Sequence, residues 1–305
     1  MFKKILFATS GSPASDDAAR VAFDLAGRYQ AALELLHVTG VPTRAYSQVV
    51  KDVRTGEEVS VDENYLSCIG DELKSYYERQ LAGCAAACTV SIVTGYPHRE
   101  ILRQARSSGA DLIIMGASTK GEEGKFYRRG MAGSTLQRVA KAARCPVLSV
   151  HRPHASYWGG IGSIVFATDF SKPAESAFAF ASKVAQELDA ELHLFHTLDI
   201  EKGGMGRDMD QDEIEARLIE ARKRMYATYG ARMPEGFKKW QVEVWEGTPY
   251  VEIVKFARER LADLIVLAHH ASDPDLEAAR IGSTMEQVIL RANCPVVSVN
   301  HPDKI

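Results

Sequence analysis

Glycines spaced around hydroxyl residues are the first feature of this 305-residue chain that could do chemistry. Gly116-Ala117-Ser-Thr-Lys-Gly121 opens a stretch that ends in Gly133-Ser134-Thr135, where an apolar helical pattern begins. Glycine lets backbone N–H groups approach an anion closely, and a helix N-terminus adds unpaired N–H groups, so the pattern suits a phosphate. Its charged side chains over 117–132 sum to +2, whereas those over 269–281, which lead to a second Gly282-Ser283-Thr284, sum to −2. An anion therefore favours the first stretch, within the reach of about 8 Å that salt leaves to exposed charges. The same residues also suit a surface turn with Ser134 as an ordinary N-cap.

Other constellations are thinner. Asp208-x-Asp210-x-Asp212 starts like a calcium loop, but Glu213 stands where the turn demands Gly and Ile219 where the closing Glu belongs; an acidic helix start accounts for it. His269-His270 with Asp273, or His193 with His196, lacks a third ligand at helical or hairpin spacing. Ser10-Gly11-Ser12-Pro13-Ala14-Ser15 approximates the pyrophosphate loop of adenylating enzymes without its second Gly and its Asp, and a helix cap explains it better. Five cysteines (Cys68, Cys84, Cys88, Cys145, Cys294) make an odd, irregular set that fits reduced thiols. Cys84 and Cys88 are four apart and could share a helical face as a redox or metal pair, although small buried hydrophobes are the plainer reading. No nucleophile, base and orienting acid are joined by a recognisable spacing.

The elements that must position these residues come from a repeat. Residues 5–10 recur as 164–169 and 33–37 as 192–196, both offset by 159; 111–114 recurs as 263–266, offset by 152; Gly133-Ser134-Thr135 with 145–150 recurs as Gly282-Ser283-Thr284 with 294–299, offset by 149. Four landmarks in the same order twice make a tandem duplication, with domains at 1–153 and 160–305. His37 and His196 fall at matching positions, which predicts a structural role at a strand end. Apolar runs at 4–8, 33–38, 90–93, 112–115 and 147–150 read as strands buried on both faces. A helix is expected over 12–29, from a Ser-Pro start with two aspartates, and Tyr65, Ile69, Leu73 and Tyr77 make one stripe of a second. The reading is α/β: two tandem, doubly wound, five-stranded parallel-sheet domains of Rossmann-like type. Ligands of such folds bind beyond the carboxyl ends of the strands. That places Thr9-Ser10, Val38-Thr39 and Gly116-Ala117 around one crevice, and Thr168-Asp169, Thr197 and Ala268-His269 around its twin.

Composition agrees and narrows the classes. The chain is 46% apolar and 25% charged, the globular balance, which excludes disorder, collagen and coiled coil. A net charge of −3 and a pI near 6.3 argue against nucleic-acid and anionic-membrane partners. No run approaches the roughly 18 apolar residues of a membrane span. The apolar residues after Lys3-Lys4 are fewer than the roughly seven of a secretion signal, so they read as the first strand of a cytoplasmic protein.

These residues carry a resemblance. "ATS" and "ATD" closing the first strand, "LLHV" in the second, "DLIIMGA" and "DLIVLAH" in the fourth, and "GST" leading to "CPVLSV" and "CPVVSV" resemble the universal stress protein family over essentially the whole length, twice. The resemblance implies the fold above, an intramolecular pseudo-dimer through the last strands, with or without a further homodimer, and a small-molecule nucleotide ligand, ATP or a relative, with or without Mg2+. In nucleotide-binding members Gly-x-x-Gly, nine residues and Gly-Ser/Thr wrap the phosphates, an acid ending the first strand sits near the ribose, and backbone after the second strand meets adenine. On this chain that selects Thr9, Ser10, Val38, Gly116, Ala117, Gly121, Gly133, Ser134 and Thr135 in the first half, and Thr168, Asp169, Gly282, Ser283 and Thr284 in the second. Both halves depart from the pattern: the first has wider glycine spacing and Ser10 for the acid, while the second keeps Asp169 but has Ala268 and Ala271 for the leading glycines. The resemblance thus implies a nucleotide-responsive stress or signalling module with its site in the first half and at most weak ATP hydrolysis. The alternative is a degenerate, nucleotide-free scaffold or small-ligand carrier.

Overall fold

A computed structural model describes residues 2–42, 49–52, 56–84, 86–117, 134–151, 160–199, 210–268 and 283–300. The first half runs β1 (Lys4–Thr9), a 3-10 turn (Pro13–Ser15), α1 (Asp16–Tyr29), β2 (Ala32–Val38), a small meander of β3 (Gly40–Pro42), β4 (Val49–Asp52) and β5 (Glu58–Ser60), then α2 (Glu63–Tyr76), α3 (Glu78–Ala82), β6 (Cys88–Val93), α4 (Pro97–Ser108), β7 (Leu112–Gly116), α5 (Ser134–Ala142) and β8 (Val147–Val150). The second runs β9 (Ser163–Thr168), α6 (Lys172–Leu188), β10 (Glu191–Leu198), α7 (Gln211–Thr228), β11 (Trp240–Glu246), α8 (Pro249–Glu259), β12 (Leu264–Ala268), α9 (Ser283–Arg291) and β13 (Val296–Val299).

The two halves share one ten-stranded sheet, ordered β11-β10-β9-β12-β13-β8-β7-β1-β2-β6. Each half is parallel, with its first strand between the second and the fourth. The apolar runs look continuous because both faces are covered. Ile5 and Phe7 pack in the core that holds α1 and α6, Leu6 and Ala8 in the opposite core with α4, α5, α8 and α9. The expected junction is present: β8 and β13 pair antiparallel, Val297 opposite Leu148, so neither domain leaves its last strand as an open edge. Over that seam the Gln137 amide donates to the Glu286 carboxylate at 2.9 Å, between repeat-equivalent positions on α5 and α9.

Repeat-equivalent aspartates explain the Asp-Leu-Ile motif. Asp111 accepts the Lys3 N–H at 2.7 Å and Asp263 that of Gly162 at 2.8 Å, each clamping the start of its half's first strand at the end of the sheet away from the crevice.

Three local expectations need correction. The helix expected from residue 12 begins with a 3-10 turn, α1 starts at Asp16, and Ser12 makes no side-chain cap bond. The meander of β3, β4 and β5 was not foreseen, because strands of three or four residues are too short to show a period. Cys84 and Cys88 do not share a helical face: the first follows α3 and the second opens β6.

Candidate functional site

The crevice is built on the last residue of β1. Thr9 is buried, and its Oγ1 does two jobs, meeting the Tyr77 hydroxyl at 2.8 Å and accepting the Gly11 N–H at 3.0 Å. The Thr9 carbonyl lies 3.0 Å from Nδ1 of His37 near the end of β2. A carbonyl only accepts, so that nitrogen carries the hydrogen. The second half repeats the device: Thr168 Oγ1 meets the Tyr229 hydroxyl at 2.6 Å and accepts the Phe170 N–H at 3.0 Å, and His196 Nδ1 donates to the Thr168 carbonyl at 2.8 Å. Both tyrosine rings are fully buried. Burial pushes the Tyr77 phenol up to about 12 and raises Tyr229 likewise, while it lowers His196. These groups are therefore neutral at pH 7, and they fix the strand ends rather than move protons.

The sequence-derived residues distribute around this frame. Ser10 is exposed, its hydroxyl 2.8 Å from those of Ser12 and Ser15. Val38 is buried at the end of β2, and β1 lies between β2 and β7, which brings Thr9, Val38 and Gly116 to one edge of the sheet. Ala117 is buried and donates its N–H to the Val150 carbonyl at 2.8 Å. Ser134 opens α5, and Thr135 follows half-buried. In the twin, Thr168 is buried, Asp169 is exposed and accepts the Ser171 N–H at 3.0 Å, Ser283 opens α9 and Thr284 is half-buried. Gly121, Gly133 and Gly282 lie outside the described residues.

Gly116 has a packing reason of its own. A Cβ there would meet the Ala14 carbonyl oxygen at 2.9 Å, because the 3-10 turn after β1 crosses close over the end of β7. The second half has no such turn between β9 and α6, and there Ala268 is accommodated.

The two crevices differ most one step beyond the strand. Gly11 has φ +64° and its repeat-equivalent Phe170 has φ +61°, so the chain turns alike with and without a side chain. Beside Gly11 is a small cleft, open to solvent, lined by Ser10, Gly11, His37, Asp52, Glu72 and Tyr76 among others. Beside Phe170 that room is filled. Its ring lies 4.6 Å from His196 and stacks on Tyr229, and the Arg224 guanidinium sits over it at 4.2 Å from the centroid. Glu72 and Arg224 are repeat-equivalent at the 152 offset, so the wall facing the turn changes sign as well.

In the first half the meander and α2 supply that wall. The Tyr65 hydroxyl donates to Asp52 at 2.6 Å, and the Tyr76 hydroxyl donates to Asp16 at 2.8 Å. Sequence reasoning missed Asp52 because it enters from the meander, and it missed Glu72 and Tyr76 because neither residue type nor spacing on α2 marks them out from other surface positions of that helix. It also missed Phe170 and Tyr229, although both could have been found by carrying the 159 and 152 offsets through Gly11 and Tyr77.

Asp210 caps α7 by accepting the Glu213 N–H at 2.8 Å, the acidic helix start. His193 and His196 point to opposite faces of β10, the first against Phe256 and the second against Phe170. Asp208, His269, His270 and Asp273 lie outside the described residues. Among the described residues no three His, Cys, Asp or Glu side chains are grouped to hold a metal ion, and no helix is long and apolar enough to cross a membrane.

With this geometry in place, comparison with known proteins is informative. The model of the Universal stress protein family matches residues 1–151 and again 160–300. A universal stress protein of Methanocaldococcus jannaschii is 28% identical over 159 residues, 50% of this chain and 84% of that protein. One from Bacillus subtilis is 33% identical over 157 residues, 49% of this chain and 99% of that protein. Among solved structures, a universal stress protein from Archaeoglobus fulgidus aligns with a TM-score of 0.69 at 19% identity, covering 99% of this chain and 97% of its own, which shows a shared two-domain fold.

Proposed function

This chain belongs to the universal stress protein family, and from that premise we propose that it is a nucleotide-responsive binding module with one ligand crevice, in the first half. The observation that carries this reading is the contrast between Gly11, beside an open cleft, and Phe170, whose ring fills the equivalent room. Many members of the family bind ATP, and the residues of the first crevice suit both ends of such a molecule. Asp52 and Glu72 present carboxylate acceptors on the α2 side of the cleft, appropriate to ribose hydroxyls or an adenine amino group. On the β7 side, the chain net +2 over 117–132 leads into the start of α5 at Ser134 and Thr135, appropriate to phosphates. In this reading Thr9, Ser10, Val38, Gly116, Ala117, Gly121, Gly133, Ser134 and Thr135 surround the ligand. Thr168, Asp169, Gly282, Ser283 and Thr284 form the frame of a closed twin.

The test is calorimetric titration of the full chain with ATP and Mg2+, beside Gly11→Phe. Phe170 shows that this turn accepts phenylalanine at the same φ, so the variant should fold with its ring over His37. Affinity should drop by at least about a hundredfold, equivalent to ~2.8 kcal/mol. Unchanged affinity would move the ligand elsewhere. Absence of wild-type binding at millimolar ATP would replace this reading with that of a nucleotide-free scaffold.

A further inference from the structure

Cys84 and Cys88 hold their sulfurs 2.6 Å apart, with the Cys88 thiol donating to Cys84. That separation is well inside ordinary contact between two sulfurs and a short step from the ~2.05 Å of a covalent bond. Both side chains are half-buried, within reach of a small solute. We propose that Cys84 and Cys88 are a reversible dithiol–disulfide site whose oxidant is a peroxide.

The chemistry closes with no group beyond the two thiols and the peroxide. The Cys84 sulfur, as thiolate, attacks one peroxide oxygen; an S–O bond forms, the O–O bond breaks, and the other oxygen leaves as hydroxide or alkoxide, which takes up a proton. Cys88 then attacks the sulfenic sulfur; the S–S bond forms, the S–O bond breaks, and the departing hydroxide leaves as water with the Cys88 proton. The net reaction is two thiols and one peroxide to a disulfide, water and a second water or alcohol. The order assigns the attack to Cys84 and the resolving step to Cys88, which opens β6. Burial, which pushes the Cys88 thiol up to about 12, keeps it protonated until it acts.

Position gives the bridge a structural consequence. Cys88 opens β6, the outermost strand of the sheet on this side, and Cys84 follows α3, which continues the α2 that walls the first crevice. A bond between them would tie that wall to the sheet edge. The second half has no counterpart, since Gly236 and Trp240 stand at the positions 152 residues on. Cys145 and Cys294 are buried, and Cys68 is exposed on α2.

The experiment treats reduced, full-length protein with hydrogen peroxide and counts thiols after unfolding. The expected result is a fall from five thiols to three, the loss of two hydrogens in intact mass, and full recovery with dithiothreitol. Both cysteines lie on the tryptic peptide 80–99, which should resist alkylation until reduced. In Cys88→Ser a sulfenic-acid trap should label Cys84, whereas in Cys84→Ser it should leave Cys88 unlabelled. The proposal is overturned if peptide 80–99 alkylates fully after peroxide, if it carries sulfinic or sulfonic oxygens, if the lost thiols prove to be Cys68 joined between chains, or if the trap labels Cys88 in Cys84→Ser.

Discussion

Gly11 and Phe170 occupy the same turn with the same left-handed backbone, yet one stands beside open room and the other fills it. For glycine, φ near +60° costs little; for phenylalanine it costs about 1–2 kcal/mol. The second half sustains that strain because the ring packs on His196 and Tyr229 beneath Arg224. The hydrogen bonds that hold the turn are the same in both halves, from Thr9 or Thr168 to tyrosine and to the turn N–H. A duplicated frame has therefore kept its scaffold and diverged in what stands over it. Such divergence fits a chain in which one copy holds a ligand and the other supplies rigidity.

The reciprocal of Gly11→Phe sharpens this contrast. In Phe170→Gly the lost ring contacts cost about 1.5–3 kcal/mol and the lost cation–π contact about 0.5–1, while release of the left-handed strain returns about 1–2. Net destabilisation of about 1–2 kcal/mol is expected in urea unfolding. ATP stoichiometry should stay at one per chain, since the segment 269–281 of that half keeps its net charge of −2, which disfavours a polyphosphate. A second equivalent of bound nucleotide would show that the aromatic plug alone separates the two crevices.

The fold was legible because the repeat is. Ile5–Phe7 with Ile164–Phe166, and the paired "CPV" strands, carry enough apolar identity to mark two parallel-sheet domains, and the family resemblance adds the β8–β13 seam; the strand order came from the structure. Matching positions also marked His37 and His196 as structural. What escaped was everything that breaks the repeat. The meander of β3 to β5 has no partner among the described residues of the second half, and its strands are shorter than a readable period. Phe170 follows an aspartate at a helix start, where composition signals a cap and gives no hint of a ring turned back over a histidine. The sulfur contact of Cys84 and Cys88 needs the approach of α3 to β6, which a spacing of four does not encode. The glycine stretches that first drew attention, 118–133 and 269–282, lie outside the described residues, so their part in the site rests on their chemistry.

Titration distinguishes the halves more gently. Burial lowers the pKa of His193, against the opposing charge of Glu191 and with the help of Arg260. His196 is lowered by burial too, with Arg224 aiding and the Thr168 carbonyl and Asp169 opposing. The unfolded chain, with histidines near 6.5, thus binds protons that the folded chain refuses. Stability from these two sites is complete above about pH 6.5 and is lost as pH falls through that value toward the folded pKa. The first half carries Glu34 at the position of His193, so the His193 share of the weakness belongs to the second half alone. Urea midpoints should fall between pH 7.5 and 5.5, and His193→Gln together with His196→Asn should flatten the decline. An equal decline in that double variant would move its origin to other groups.

The smallest effect is expected at the residue that family resemblance would rank highest. Asp169 follows β9 directly, where nucleotide-binding relatives place an acid near the ribose. In this chain its Oδ1 accepts the Ser171 N–H at 3.0 Å, the bond of an exposed turn leading into α6. Phe170, the next residue, already fills the room the ligand would need. Asp169→Ala should therefore cost about 0.5–1 kcal/mol of stability through the lost turn bond, and leave ATP affinity within twofold of wild type. Calorimetry on this variant separates two origins for the retained acid. If affinity holds, the aspartate persists because the helix start needs it, as Ser12 and Ser15 pack around Ser10 in the other half. If affinity falls tenfold or more, the ligand reaches the second turn despite the ring, and the assignment of the crevices must be reversed.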